Sequence, residues 1–285
     1  MLDCHMRVLG ALLAASVLAV RHAPALLVAT NLVKTVLKSG AFFFDKKSVN
    51  VLDNVTVTIR CGITTFVGPS GAGKSTLAKC IIGKEGLSSG SVTWNSDNSS
   101  SNAYECLISS NVMQKRSCYV DHLFSSSYND KLCLHQLIPS VGYSVMIQEA
   151  AAALEIPSNE PVCGMLVSKR KGFEILLAMS KLDSLVQSSG AADPPTDLPT
   201  DPPTVVVLDE YLDKDMPSVR RSVCKGLRAL AAHPSIRLHV ILITHSKAAL
   251  DECSDNVVCV KSGRIYHQGK FSRGISYPAQ LQFIE

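Results

Sequence analysis

The sequence lacks any apolar run that approaches the roughly 20 residues required for a membrane-spanning helix. We therefore do not expect a protein that crosses a bilayer by itself as a bundle of helices. Lys and Arg form no block of five or more, and the net charge of the 285 residues is only +4. Nucleic acid is consequently not an expected partner.

The 10 cysteines include no Cys-x-x-Cys pair, which removes the usual spacing of a zinc site or a dithiol redox site. Scattered cysteines in a chain of this length are typical of buried thiols in a reducing compartment. Charged residues make up 18% of the chain and apolar residues 46%, so we expect a folded core rather than wholesale disorder. The length predicts one large domain or two small ones.

The N-terminal segment 1–39 differs in composition from the rest of the chain. Asp3 is its single acidic residue, and Val8–Val20 is an apolar run of 13 residues, too short to span a bilayer. A short apolar run in an acid-poor segment predicts a targeting segment, either a secretory signal or an organelle transit peptide. A membrane-proximal helix and a mis-assigned start are the alternatives, and we place the main domain at 40–285.

From residue 40 onward, short β-branched runs alternate with helical patterns. The runs at 204–208 and 238–243 are continuously apolar, as expected of strands buried on both faces of a parallel sheet. The five prolines within 188–204 exclude a helix or a central strand there, so we predict a disordered surface insertion. Further strands are predicted at 49–59, 64–67, 91–94 and 257–260, and helices at 75–82, 149–154 and 172–182.

A glycine-rich turn between the predicted strand 64–67 and the predicted helix 75–82 carries the pattern G-x-x-x-x-G-K-[ST]. Its glycines let successive backbone N–H groups point at phosphate oxygens, and the helix N-terminus adds a positive dipole end. The lysine supplies charge to the β- and γ-phosphates, and the next hydroxyl is a ligand for Mg²⁺. The predicted phosphate-binding residues are Gly68, Pro69, Ser70, Gly71, Ala72, Gly73, Lys74, Ser75 and Thr76.

Polar side chains follow two of the predicted buried strands. Asp209 and Glu210 come after the strand 204–208, and His245 comes shortly after the strand 238–243. Since the carboxyl ends of parallel strands line the ligand crevice of an open α/β sheet, these side chains should lie beside the phosphates. We expect Asp209 to hold Mg²⁺, Glu210 to act as general base for an attacking water, and His245 to contact the γ-phosphate region.

These motifs resemble those of the nucleotide-binding domain of the ATP-binding cassette (ABC) family. GPSGAGKST is similar to its Walker A loop, VVVLDE to its Walker B strand and ITHS to its switch-histidine loop. The residues 253–269 look like its closing hairpin, and the resemblance extends over about residues 42–270. It implies an α/β P-loop NTPase with a mostly parallel sheet, an antiparallel β subdomain and a helical subdomain at about 115–182.

The resemblance also assigns residues outside these motifs. Gln114 is similar to the Q-loop glutamine that links Mg²⁺ to the helical subdomain. Phe43 or Phe44 falls where the family places an aromatic ring under adenine.

Two family motifs depart from their usual sequences. The signature Leu-Ser-Gly-Gly-Gln is represented by Val-Ser-Lys-Arg-Lys, in which Lys169 and Arg170 follow Ser168 in place of two glycines, and residues 211–216 differ from the usual D-loop. We interpret the basic residues as a solvated turn, and direct contact of their charges with a phosphate is the alternative. These departures argue against a symmetric, fully active homodimer, but they do not affect nucleotide binding.

The expected function is binding and hydrolysis of ATP, with Mg²⁺, by the ATP-binding subunit of an ABC-type transporter. The resemblance implies a second nucleotide-binding domain and separate transmembrane subunits, with the nucleotide site at a membrane and facing cytosol or an organelle matrix. The alternatives are a soluble ABC ATPase without a transport role and an ATP-binding regulatory module with little turnover. The altered signature favours the regulatory module, whereas Glu210 and His245 oppose it. A nucleotide kinase is a more distant alternative.

Overall fold

The computed structural model describes residues 26–39, 46–95, 105–107, 110–121, 131, 133, 136, 145–157, 159–188, 204–232 and 238–272. The apolar run Val8–Val20, both candidate adenine-stacking residues Phe43 and Phe44, and 189–203 of the proline-rich segment lie outside these residues. The targeting segment, the aromatic stacking and the disordered insertion therefore stay predictions.

Ten strands and six helices form the described part of the chain, with a short 3-10 turn at Val162–Gly164. The strands are β1 (Leu26–Ser39), β2 (Lys46–Arg60), β3 (Gly62–Val67), β4 (Ser89–Asn95), β5 (Glu105–Leu107), β6 (Ser117–Asp121), β7 (Thr204–Asp209), β8 (Leu238–Ile243), β9 (Asn256–Lys261) and β10 (Arg264–Lys270). The helices are α1 (Lys74–Ile81), α2 (Ser110–Lys115), α3 (Val145–Ala153), α4 (Val167–Ser188), α5 (Pro217–Ala231) and α6 (Lys247–Cys253). None of the helices described here is long and apolar enough to cross a bilayer.

Two sheets organise these elements and confirm the predicted fold class. The larger sheet has the order β10-β9-β3-β8-β7-β6, and its neighbours run parallel except for the terminal β9–β10 hairpin. The hairpin turns at Ser262 and Gly263, both with positive φ, as a two-residue turn between twisted strands requires. The smaller sheet is antiparallel and has the order β2-β1-β4-β5.

The central strands of the larger sheet are buried on both faces, as the continuous apolar runs predicted. Along β7, Val206 and Leu208 pack with residues of α3, α4 and α5. The alternate residues Val205 and Val207 pack with residues of α1 and of the antiparallel sheet. The larger sheet therefore lies between a helical layer and a layer made of α1 and the antiparallel sheet.

The strand β1 corrects the predicted domain boundary at residue 40. It pairs with both β2 and β4, and its side chains Leu27, Ala29 and Leu32 are fully buried. The sequence of this strand does not alternate between apolar and polar residues, since 26–29 are all apolar, so no strand pattern separated it from the rest of segment 1–39. The main domain therefore begins no later than Leu26, and only the residues before it remain candidates for a targeting segment.

The predicted helical subdomain at 115–182 is also corrected at its start. Residues 117–121 form β6, which pairs in parallel with β7 and so belongs to the larger sheet. The helical layer contains α3 and α4, and α4 starts at Val167 rather than at the predicted residue 172.

A disulfide between Cys224 and Cys253 overturns the expectation that all cysteines are free thiols. It joins α5 to α6, with a Cα–Cα distance of 5.4 Å, and both cysteines are buried. The Arg228 guanidinium reinforces the same contact, since its Nε lies 2.8 Å from Asp255 Oδ1 and its NH2 group donates to the Cys253 carbonyl. The helices that follow β7 and β8 are thus linked covalently.

Replacing both Cys224 and Cys253 with Ser should lower the free energy of unfolding by about 3 kcal/mol, because the crosslink restricts the unfolded chain over a loop of roughly 30 residues. Urea unfolding followed by circular dichroism checks this. The matched control is Cys163→Ser, which changes an exposed free thiol and should leave the midpoint unchanged. An equal midpoint for the double variant and the control would mean that the crosslink contributes nothing to stability.

Candidate functional site

The predicted phosphate-binding loop lies between β3 and α1, as its sequence pattern indicated. Gly68, Gly71 and Gly73 all have positive φ, at 149°, 75° and 100°. At Gly68 a side chain would collide with the Val260 carbonyl oxygen of β9. The glycine pattern is therefore required by the conformation of the loop and by its close approach to the neighbouring strand.

The Lys74 side chain is buried and lies folded over the loop. Its Nζ donates to the carbonyl oxygens of Gly68 and Pro69 at 2.9 and 3.0 Å, and it lies 3.2 Å from His245 Nε2. Burial lowers the pKa of Lys74, whereas the nearby carboxylates, Glu210 first, oppose this shift. The ammonium group is thus held at the mouth of the loop by weak neutral acceptors that an anion can replace.

Glu210 and His245 come from neighbouring strand ends and meet above the loop. The Glu210 N–H donates to the Ile243 carbonyl at 2.9 Å, and Glu210 itself adopts a left-handed backbone conformation with φ of 52°. Its Oε1 lies 3.2 Å from His245 Nε2, the same nitrogen that contacts Lys74. That nitrogen can accept from Lys74 when unprotonated or donate to Glu210 when protonated, so the imidazole couples the two charged groups.

Asp213 holds the backbone of His245, a role that the sequence analysis did not predict. One of its carboxylate oxygens accepts from the Thr244 hydroxyl, and the other accepts from the His245 backbone N–H at 3.0 Å. The sequence did carry an indication of this role, because Asp213 lies in the segment 211–216, where the chain departs from the family's D-loop. A short acidic side chain there ties the loop after β7 to the loop after β8.

Asp209 occupies the last position of β7, next to Asp121 at the end of β6. Its Oδ2 accepts a hydrogen bond from the Tyr119 hydroxyl. Asp209, one of the three predicted Mg²⁺ ligands, is therefore held by a tyrosine of the neighbouring strand. No sequence motif pointed to Tyr119, because its role depends on the pairing of β6 with β7.

These elements enclose a cavity of about 370 Å³. It brings together most of the predicted site residues, and it adds Val51 of β2, which the sequence did not suggest. The lining residues are Val51, Ser70, Gly71, Ala72, Gly73, Lys74, Ser75, Thr76, Glu210 and His245.

Gln114 does not lie at this cavity, which corrects its assignment as the glutamine of the Q-loop. Its amide nitrogen donates to the Gly83 carbonyl, just beyond the C-terminal end of α1. Since α1 starts at the phosphate-binding loop, this end lies about 12 Å away at 1.5 Å per residue. The reason is that Gln114 precedes β6, whereas the site faces the carboxyl ends of the strands. The residue at the carboxyl end of β6 is Asp121, which lies opposite Asp209.

The segment in place of the family's signature is not the solvated turn that we expected. Ser168, Lys169 and Arg170 lie in the first turn of α4, and all three are only partly exposed. Lys169 Nζ lies 2.5 Å from Glu155 Oε2, so its charge is paired within the chain. Direct contact of this lysine with a phosphate would require the ion pair to break.

Residues 52–162 of the chain match the family model described as ABC transporter. The Methionine import ATP-binding protein MetN of Histophilus somni is 24% identical over 245 residues, which are 85% of this chain and 66% of that protein. The Sulfate/thiosulfate import ATP-binding protein CysA 2 of Shewanella oneidensis is 26% identical over 76% of this chain and 57% of its own length. The Zinc import ATP-binding protein ZnuC of Vibrio cholerae is 53% identical over 49 residues, only 19% of its length. The chain thus spans less than two thirds of these curated relatives.

Solved structures share the fold at low sequence identity. A nucleotide-free ATP-binding cassette from an ABC transporter superposes with a TM-score of 0.57 and 16% identity, covering 91% of this chain and 94% of that one. A bacterial ABC transporter cassette in a dimeric structure gives a TM-score of 0.55 and 14% identity, over 86% of this chain and 99% of that one.

Two glycines of the loop should differ in their tolerance of a side chain. Gly68→Ala should lower the free energy of unfolding by about 3 kcal/mol or more, because the methyl group meets backbone and φ is unfavourable. Gly71→Ala, with no atom within 4 Å of the new Cβ, should lose only the conformational cost of about 1 kcal/mol. Urea unfolding measures both, with Gly86→Ala as the neutral control. Equal losses at the two sites would contradict the close approach to Val260.

Proposed function

We propose that the chain is an ATP-binding cassette domain that binds and hydrolyses ATP as the ATP-binding subunit of an ABC-type transporter. The family match, the relatives and the fold support this proposal. One observation carries this proposal. His245 Nε2 lies 3.2 Å from both Lys74 Nζ and Glu210 Oε1, so a phosphate-binding group and a candidate base converge on one cavity.

The phosphates of ATP bind to the loop through its backbone N–H groups and the N-terminus of α1. Lys74 then exchanges the carbonyl oxygens of Gly68 and Pro69 for β- and γ-phosphate oxygens. Because the ammonium group is buried and its present acceptors are neutral, replacement by an anion is favourable. The lowered pKa of Lys74 rises again when that negative charge arrives.

A Mg²⁺ ion fits the oxygen-rich edge beside the loop. The Ser75 hydroxyl and the Asp209 carboxylate are hard oxygen donors of the kind that Mg²⁺ prefers. When bound there, Mg²⁺ neutralises negative charge on the β- and γ-phosphate oxygens.

Hydrolysis proceeds by in-line attack of a water oxygen on the γ-phosphorus. The bond between that phosphorus and the β–γ bridging oxygen breaks, which yields ADP and inorganic phosphate. Glu210 accepts the proton of the attacking water, and His245, held by Asp213, contacts the γ-phosphate side. The Glu210 carboxylate is half-exposed, so water can reach it.

A second nucleotide-binding domain is the proposed partner at the face formed by α4 and the D-loop. Three large apolar side chains are exposed in this region, Leu166, Val167 and Met216, at 73%, 59% and 70%. Lys171 joins the two elements, because its Nζ lies 2.9 Å from the Tyr211 carbonyl and 3.3 Å from Asp215 Oδ2. Separate transmembrane subunits would complete a transporter, in keeping with the import systems named for the relatives.

An ATP-binding regulatory module with little turnover is the second candidate. It is favoured by the ion pair between Lys169 and Glu155, which occupies part of the signature-like turn within the chain. Binding without turnover in the intact chain would support this candidate.

Lys74→Ala should weaken binding of a fluorescent ATP analogue to the full chain by at least roughly tenfold, because it removes a charge-assisted contact with the phosphates. Lys225→Ala is the control, since Lys225 lies on α5 with an exposed side chain, outside the cavity lining. Equal affinities of the two variants would contradict nucleotide binding at this loop.

Glu210→Gln should keep ATP binding and lower steady-state hydrolysis by about a hundredfold or more, because the amide accepts no proton. Phosphate release measures the rate, and Asp251→Asn, a carboxylate of α6 outside the cavity lining, is the control. Undiminished turnover in Glu210→Gln would exclude this residue as the base.

Two copies of this chain should form a dimer when ATP is bound but not hydrolysed. Glu210→Gln with ATP and Mg²⁺ should show twice the monomer mass in light scattering, whereas Lys74→Ala should stay monomeric. A monomer in both variants would contradict self-association and indicate a different nucleotide-binding partner.

A further inference from the structure

Tyr119 donates a hydrogen bond to Asp209, a predicted oxygen ligand of the metal. It lies in β6, the edge strand of the larger sheet, whose register with β7 places Tyr119 beside Val207 and Asp121 beside Asp209. The hydroxyl donates to Asp209 Oδ2 at the end of β7.

The ring of Tyr119 is held independently of its hydroxyl. It packs against the core cluster formed by α1 and the antiparallel sheet. Two ammonium groups lie over its face, Lys84 Nζ at 4.9 Å and Lys79 Nζ at 5.4 Å from the centroid. These contacts are apolar and cation–π in character, so they do not require the hydroxyl.

The chemistry of the two groups fixes the direction of the hydrogen bond. A phenol keeps its proton at neutral pH and a carboxylate can only accept it, so Tyr119 donates to Asp209. One oxygen of Asp209 is consequently committed to Tyr119.

We propose that Tyr119 is a positioning residue for Mg²⁺ with ATP, which orients the Asp209 carboxylate so that its other oxygen faces the metal. The proposal rests on the proposed function, because the metal accompanies ATP bound at Lys74. A carboxylate on the last residue of a strand rotates freely unless a neighbour restrains it. Tyr119 provides that restraint through its hydroxyl.

Tyr119→Phe isolates the effect of the hydroxyl, since the phenyl ring keeps the packing and the ammonium contacts. The full chain is titrated with Mg²⁺ at a fixed concentration of a fluorescent ATP analogue, and the affinity with excess EDTA is measured separately. The Mg²⁺ concentration at half-effect should rise about tenfold, the size expected for loss of a hydrogen bond to a charged group. The affinity in EDTA should stay as in the unmodified chain.

Two controls make the outcome decisive. Tyr266→Phe removes the hydroxyl of an exposed tyrosine on β10 and should leave the Mg²⁺ titration unchanged. Asp209→Asn should shift it at least as far as Tyr119→Phe does. Tyr119→His, which returns an N–H donor on a ring, should recover part of the lost response and serves as a second variant.

Different results would contradict the role of Tyr119 and the proposed binding of ATP. If Asp209→Asn shifts the titration and Tyr119→Phe does not, the role of Tyr119 is wrong while the metal site stands. A loss of affinity in EDTA equal to that in Mg²⁺ would show a structural role only and would also overturn the proposal. If the unmodified chain binds no ATP with or without Mg²⁺, the proposed function itself fails.

Discussion

The register of three buried parallel strands determines where every group of the site lies. In the pairing of β3, β8 and β7, Phe66 is opposite Ile243, and Ile243 is opposite Asp209. The three strands therefore end at one level, and the loops that follow them begin side by side. Because each strand is buried on both faces, a shift by one residue would exchange the side chains packed on the two layers. Core packing thus determines the register, and the register determines which residues lie next to each other at the strand ends.

Backbone hydrogen bonds between neighbouring loops extend this order beyond the strand ends. The Thr244 N–H donates to the Phe66 carbonyl at 3.3 Å, and the Glu210 N–H donates to the Ile243 carbonyl at 2.9 Å. Each loop is therefore attached to the next strand along the sheet. The distances among Lys74, Glu210 and His245 follow from main-chain positions as well as from side-chain rotamers. Because these hydrogen bonds already order the loops, the site loses little conformational entropy when a phosphate binds.

The sequence predicted the features that depend on local pattern. The apolar runs of β7 and β8 and the glycine pattern of the loop each have one physical interpretation, and the structure agrees with it. The features that failed depend on pairing between distant segments. Whether β1 joins the fold depends on β2 and β4, and whether Asp121 rather than Gln114 reaches the sheet edge depends on where β6 begins. The disulfide of Cys224 and Cys253 likewise joins two helices whose separation no spacing rule gives.

The altered signature-like turn is connected to the sheet edge that carries the candidate site. Lys171, one turn into α4, contacts the Tyr211 carbonyl and Asp215, and its ammonium group lies 3.8 Å from the centroid of the Tyr211 ring. The Tyr211 hydroxyl in turn donates to the buried Glu174 of α4. The same D-loop carries Asp213, which holds the backbone of His245.

The start of α4 is therefore connected to the backbone of a residue that lines the cavity. Lys171 stands where the resembled signature has Gln, and its ammonium group binds the Tyr211 carbonyl and Asp215. Because Asp213 of the same segment accepts from the His245 N–H, a shift of α4 would be passed to the loop that carries His245.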